Sequence, residues 1–453
     1  MNPKIFKAYD IRGIYKQDLD ENLAYELGLA FVYLINKEKG NSKKTIAISG
    51  DARVSTPILK EYLIKGIIDA GADVLDIGQL STPSFYFGVS YYNCDGGIIV
   101  SASHNPKEWN GFKLTRDKAK PISGETGINE LKEIISSKKA LKSEKKGEVV
   151  KIDKTLEAQI KHDFEFFNSE NIKNLKVVVD PANGMGAQYT EKMFKKLPCE
   201  LIKMNFEIDG TFPAHEADPI KEENLVDLKK KVLEEAADLG IALDGDGDRV
   251  FFIDNEGKTI NQAIIRGILS KIFLKEKPGS KICYDIRPGK ITEDMILENG
   301  GIPIVTKVGH SLIKEKALEE GAYFAGESSG HFFLNMEVGC FEVPVIVIGK
   351  LLEEFSLKNK PVSKYIKPLE KYYHSGEINS EVADKNEVFK NIERNYSDGE
   401  INKLDGISVK YSDFWFNVRG SNTEEKVRLN LEAKSEEIME KRKKEVLDII
   451  NMK

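Results

Sequence analysis

Cysteine is scarce in this chain: Cys94, Cys199, Cys283 and Cys340 are the four in 453 residues, far apart and with no C-x-x-C pair. That spacing excludes a disulfide framework and a thiolate metal site, and a reducing cytoplasm is the expected compartment. Long apolar runs are missing too. Runs such as residues 343–349 fall far short of membrane-spanning length, and Lys4, Lys7 and Asp10 break any signal-like start. There is no basic excess. Lys and Arg number 67 against 73 Asp and Glu, a formal charge of -6, so composition offers nucleic acid no attraction. An acidic total still leaves room for a locally basic pocket that takes an anionic metabolite.

What is present is a folded-protein composition, 41% hydrophobic and 31% charged, on a chain long enough for three or four domains. After Asp10-Ile-Arg12-Gly, an amphipathic helix is expected over 19–33. A strand follows over 45–50, ending at Asp51, then a helix over 55–69 and a strand over 72–78. The alternation predicts an α/β unit with mainly parallel strands, whose ends are where such folds place ligands. Residues 136–160 are rich in Lys, Glu and Ser and mark a boundary near 150. Strands near 174–180 and 250–253 frame a second unit to about 255, and further strand–glycine turns frame a third to about 370. Alternating strands near 405–432 and a closing helix from 435 form a smaller α+β domain, residues 371–453. The expected fold is thus three related mixed-sheet α/β domains, 1–150, 151–255 and 256–370, with a fourth completing a central cleft.

Four stretches carry chemistry. The first is the apolar run 97–100 followed by Ser101-Ala-Ser103-His104-Asn-Pro106. A serine at a sharp strand exit, beside a histidine that can orient it, suits nucleophilic chemistry, although an ordinary polar turn has the same composition. Gly111-Phe-Lys113 can return a lysine to the same pocket. The second is Asp244-Gly-Asp246-Gly-Asp248-Arg249, three carboxylates at alternate positions that can wrap a hard divalent cation. A calcium helix-loop-helix is excluded: Arg249 stands at the sixth position and Asn255 at the twelfth. The 209–219 loop, with His215 and several carboxylates, is compatible with metal ligands or with a rigid connection. The third is Gly309-His310 and Gly326-Glu327-Ser-Ser329-Gly-His331, which offer acceptors and a titratable donor to a polyol. The fourth is Arg419-Gly-Ser421-Asn422-Thr423 with Arg428, a nest suited to phosphate.

In this order, these motifs resemble those of the α-D-phosphohexomutase family. Tyr9-Asp-Ile-Arg-Gly13 and Asp209-Gly-Thr-Phe-Pro213 are similar to its phosphomannomutase/phosphoglucomutase branch. The resemblance spans essentially the whole chain. It implies a phosphoserine and Mg²⁺ moving phosphate between C1 and C6 of a hexose through a hexose 1,6-bisphosphate. By the same resemblance Ser103 is the phosphoserine and also a metal ligand beside Asp244, Asp246 and Asp248. Arg249 lies beside the transferring phosphate, Lys113 and His331 serve proton transfer or charge stabilisation, and Arg12 and His104 lie near that centre. Glu327 and Ser329 read sugar hydroxyls and His310 borders them. Arg287 stands where related enzymes carry a basic residue. Arg419, Ser421, Asn422 and Thr423, with Arg428, clamp the non-reacting phosphate. Gly420 and Glu425 replace prolines common in relatives, which bears on the rigidity of that loop.

The expected partners are small-molecule hexose phosphates, mannose and glucose, with no nucleic acid and no membrane, on a monomer or dimer. A glucosamine phosphate substrate is disfavoured by Asn422, where the aminosugar branch commonly has glycine. A magnesium-dependent sugar-phosphate phosphatase is the alternative enzyme class, yet Asp10-Ile-Arg12 supplies no D-x-D nucleophile. A non-catalytic sugar-phosphate binder is the remaining reading.

Overall fold

The computed structural model describes residues 2–420 and 426–452. Four sheets follow one another along the chain. The first has six strands, ordered Ile11–Ile14, Trp109–Arg116, Gly96–Val100, Thr45–Gly50, Asp73–Gln79 and Val149–Lys151. Its last four strands run parallel, as the alternating pattern predicts, whereas Trp109–Arg116 is antiparallel to both its neighbours. That hairpin return brings Lys113 opposite Ile99, one step below the serine turn. Gly96–Val100 is buried at every residue, which is why its sequence is a continuous apolar run rather than an alternation.

The second sheet has four strands, Val250–Asp254, Leu239–Leu243, Lys176–Asp180 and Glu200–Lys203, and the third has five, built around Lys281–Asp285. In both, an otherwise parallel sheet carries antiparallel edge strands, so the mixed-sheet expectation holds for all three units. Helix Thr82–Tyr91 is set by Ser81, whose side chain accepts from Ser84 N, and by Pro83 in its first turn. Nine of its ten residues, Thr82 to Ser90, are buried, since it is packed between the first and third units. One apolar core runs through the three units, joining Phe87, Tyr189, Phe252, Leu269 and Ile346. Each fully buried aromatic there contributes roughly 2–3 kcal/mol.

The C-terminal domain is a five-stranded antiparallel sheet, Tyr373–Glu381, Lys426–Ala433, Phe414–Gly420, Ile407–Lys410 and Glu400–Asn402. It has its own core, in which Val388, Ile392, Phe416, Leu431 and Val446 meet. Helix Glu436–Ile450 matches the expected closing helix, and helix Lys385–Asn395 is an addition that the alternating pattern did not announce. The first helix extends to Glu21–Lys39 and starts at Asp20, whose carboxylate accepts from Leu23 N. Among the described residues no helix is long and apolar enough to cross a membrane.

Candidate active site

Ser103 sits where the apolar strand ends, buried, with φ of +53°, a left-handed conformation that a non-glycine residue adopts only when its surroundings impose it. Arg53 imposes it: Nη2 donates to the carbonyls of Ser103 and Asn105, and Nη1 to those of Pro106 and Trp109. On the other side the chain of the second unit comes close enough that a Cβ on Gly245 would lie 2.7 Å from the Ser103 carbonyl oxygen. Glycine is therefore required between Asp244 and Asp246 by close approach, and at Gly247 by its φ of +72°.

The serine hydroxyl lies 3.2 Å from His104 Nδ1 and 3.4 Å from Asp244 Oδ2. Asp244, Asp246 and Asp248 are all buried and offer carboxylate oxygens within 4.8 Å of one another. Thr82 anchors Asp246 by donating its hydroxyl to Oδ2 at 2.7 Å and its N–H to the backbone carbonyl at 3.0 Å. Lys113 Nζ donates to Asp246 and, at 2.7 Å, to Asp248. Asp246 Oδ1 is buried with no hydrogen-bond partner. Three hard oxygens, one of them orphaned, make a donor set that fits Mg²⁺. Among the described residues this is the one such cluster, and His215 instead bonds Asp180 at 3.0 Å and the Glu216 carbonyl at 2.9 Å.

Charge explains the local titration. Burial and its two neighbouring aspartates push the Asp244 carboxyl well above the ordinary range. Burial also pushes Asp248 up, but Lys113 and His331 overcome it and hold that carboxyl well below. His331 is buried against protonation, yet Asp248 and Glu327 raise it to about 9. His104, buried near Arg249 and Arg12, is held well below the usual imidazole value.

The third unit closes on the same point. His331 Nε2 is 3.1 Å from Asp248 Oδ1, its Nδ1 is 3.0 Å from Ser329 Oγ, and Glu327 Oε2 lies 3.2 Å from Nδ1. Glu327 Oε1 accepts from Gly309 N at 2.9 Å. His310 stacks on His331 and meets Tyr9 edge-on, with both ring nitrogens buried and lacking hydrogen-bond partners. Arg12 donates to Asp10 and Asn105, and Arg249 reaches Asp218 at 3.1 Å and approaches Asp244. Arg287 lies 4.0 Å from Glu327. The structure thus gathers Arg12, Ser103, His104, Lys113, the three aspartates, Arg249, Arg287, His310, Glu327, Ser329 and His331 into one contiguous cluster.

Arg419 and Arg428 lie directly opposite each other on adjacent strands of the C-terminal sheet and both donate to Glu377, at 3.1 and 3.2 Å, and Glu377 also feels the charge of Arg287. Among the described residues no hydrogen bond or ion pair links them to the serine cluster. Ser421, Asn422 and Thr423 fall outside the described residues. Three residues were not legible as site residues in the sequence. Arg53 was signalled only by following the glycine turn at Gly50-Asp51. Thr82 and Glu377 had no sequence signal, because the partner of the first lies 164 positions away and those of the second 42 and 51.

The comparisons with known proteins follow this geometry. Domains I, II and III of the family described as phosphoglucomutase/phosphomannomutase, alpha/beta/alpha, match residues 3–142, 156–257 and 261–372, and its C-terminal domain matches 377–449. A phosphomannomutase of Methanocaldococcus jannaschii is 39% identical over 98% of this chain and 97% of its own length. One of Escherichia coli is 37% identical over 98% of both. A solved structure of a phosphoglucomutase/phosphomannomutase family protein from Burkholderia thailandensis has 31% identity and a TM-score of 0.88, covering 99% of this chain and 97% of that one. With every domain matched in order and the serine turn, aspartate triad and Glu327–His331 turn assembled on that fold, this chain is an enzyme of the phosphomannomutase/phosphoglucomutase branch of the α-D-phosphohexomutases.

Proposed function

We propose that this enzyme reversibly converts mannose 1-phosphate and mannose 6-phosphate, and accepts the glucose pair, through a phosphorylated Ser103 and a hexose 1,6-bisphosphate. The observation that carries the reading is Ser103 Oγ held between His104 and Asp244, with Asp246, Asp248 and Lys113 behind it. Asp244, Asp246 and Asp248, with the serine phosphate, would hold Mg²⁺, which supplies charge neutralisation to the phosphoryl group in flight.

A sugar hydroxyl attacks the phosphorus of phosphoserine, the P–Oγ bond breaks, and Ser103 Oγ leaves toward the positive field of Lys113, Arg249 and Arg12. His331, raised to about 9 and bonded at both nitrogens, adds positive charge beside the transferring group, and the sugar hydroxyl's proton ends on the departing Ser103 Oγ. The bisphosphate then turns, and Ser103 Oγ takes the phosphoryl group from the other end. Glu327, Ser329 and His310 read the sugar, Arg287 flanks them, and Arg419 and Arg428 clamp the phosphate that is not reacting, a role shared by Ser421, Asn422 and Thr423, which follow Arg419 in sequence. The four domains then divide the work: 1–150 carries the serine, 151–255 the metal, 256–370 sugar recognition and 371–453 the clamp. The cytoplasm is the proposed compartment.

Mannose and glucose differ only at C2, whereas the proposed anchors serve hydroxyls and phosphates common to both, which is why both epimers are proposed. The test gives the enzyme Mg²⁺, a trace of glucose 1,6-bisphosphate and each hexose 1-phosphate in turn. Phosphorus NMR is expected to show the 6-phosphate with little free phosphate. Free phosphate as the main product would indicate a phosphatase instead.

A further inference from the structure

Arg266, on helix Gln262–Glu276, is 1% exposed and lies outside the machinery described above. Two glycines make room for it. A Cβ on Gly326 would lie 2.9 Å from its Cγ, and one on Gly289 would lie 2.5 Å from Nη2. Its Nε donates to Thr292 Oγ1 at 3.2 Å, and Nη1 donates to Ser328 Oγ at 2.9 Å and to Asp285 Oδ2 at 3.2 Å. Asp285, fully buried, also accepts from both N–H and Oγ–H of Ser328. It accepts as well from Arg287 N at 3.0 Å, Nε at 2.9 Å and Nη2 at 3.0 Å.

A buried ion pair is a poor source of net stability, because desolvating two charges offsets most of their attraction. What this one holds is more informative. Ser328 lies between Glu327 and Ser329, and the guanidinium of Arg287 is turned to within 4.0 Å of Glu327. A single carboxylate thus ties the backbone of the sugar-reading turn to the cation beside it, and Arg266 fixes that carboxylate from behind.

We propose that Arg266, Asp285 and Ser328 are positioning residues that set the Glu327–Ser329 turn and Arg287 against each other and thereby set affinity for the hexose of the substrate. This rests on the reading of Glu327 and Ser329 as sugar contacts. None of the three touches the serine turn, which Arg53 and Asp244 hold independently. Glu327 also bonds His331, so loss of the network weakens sugar binding more than it slows phosphoryl transfer.

The test is a KM-against-kcat split in Ser328→Ala and Arg266→Met, with the Kd for mannose 6-phosphate measured by calorimetry. Loss of the Ser328 hydroxyl is expected to raise KM and Kd about ten-fold, the lower end for removed hydrogen bonds to charged groups, with kcat within about three-fold of the parent. Arg266→Met is expected to raise both about twenty-fold or more, and Arg266→Lys to fall between it and the parent. Should Arg266→Met fail to fold, Ser328→Ala decides alone. A folded Ser328→Ala with KM and Kd within about two-fold of the parent overturns the proposal, as does a fall in kcat at unchanged KM. A parent enzyme without turnover sinks the mutase reading, and the Kd comparison then still decides the positioning role.

Discussion

Arg53 Nη2 donates to the carbonyl oxygen of Ser103 at 2.8 Å, from a side chain with no exposed surface. The turn after Gly96–Val100 has left the sheet, so its carbonyls need donors from elsewhere. Arg53 supplies four of them and is itself oriented by Asp51. Arg53→Met keeps the volume but strands those carbonyls and the Asp51 carboxylate. A loss of about 3–5 kcal/mol in stability is expected, read as a lowered thermal midpoint, with turnover down at least about ten-fold. The milder Arg53→Lys separates the two effects. If it folds and retains parental turnover, Arg53 does not support the serine turn.

Ser103 is expected to carry phosphate. Intact-mass analysis with peptide localisation should find about 80 Da on Ser103 in a fraction of active molecules. Ser103→Ala removes the acceptor and should lower turnover by about a thousand-fold or more. Comparable turnover in that variant would contradict the phosphoserine route.

Asp244, Asp246 and Asp248 crowd three carboxylates into a buried space faced by Lys113, Arg249 and His331. Asp246→Asn keeps the Thr82 and Lys113 contacts within reach while removing one ligand charge. The Mg²⁺ concentration for half-maximal activity should rise about ten-fold or more, with the fold retained. Chelation of the parent should abolish turnover and added Mg²⁺ restore it. An unshifted Mg²⁺ titration in the variant would count against the assignment.

Glu432 gives a pH prediction away from the metal site. Its carboxylate accepts from Lys290 N, at the start of helix Lys290–Glu298, and from Trp415 Nε1. Burial pushes it up from 4.5 to about 7, against the pull of those two donors and Arg266, with Asp294 adding to the rise. A raised folded value means stability that is complete below about pH 4.5 and lost as the pH climbs to about 7, at most about 3 kcal/mol in all. Glu432→Gln cannot ionise. Its thermal midpoint relative to the parent should therefore be higher at pH 8 than at pH 5. An equal difference at both pH values would dismiss the effect.

In the proposed clamp, Arg419 would offer a charge-assisted contact common to any phosphorylated sugar. Arg419→Ala should raise KM about ten-fold or more for mannose and glucose phosphates alike, in steady-state assays with each. A selective loss for one sugar would mean that Arg419 reads the hexose rather than the phosphate.

Local chemistry singled out the serine turn, the aspartate triad and the Glu327–His331 turn as candidates, since each places its groups within a few residues of sequence, and their order along the chain carried the family resemblance. The apolar run 97–100 and the glycines between Asp244 and Asp248 report a buried strand and a close backbone approach directly. Tertiary structure decided the rest. Lys113 acts on Asp246 and Asp248 only because an antiparallel return in the first sheet aims it there. Arg53 was signalled only by the glycine turn before it, and Thr82, Arg266 and Asp285 had no local signature, because an arginine, a threonine or an aspartate in sequence looks the same whether solvated or buried. Their function comes from partners in other turns and other domains, and only packing brings a donor to a carbonyl that has left its sheet.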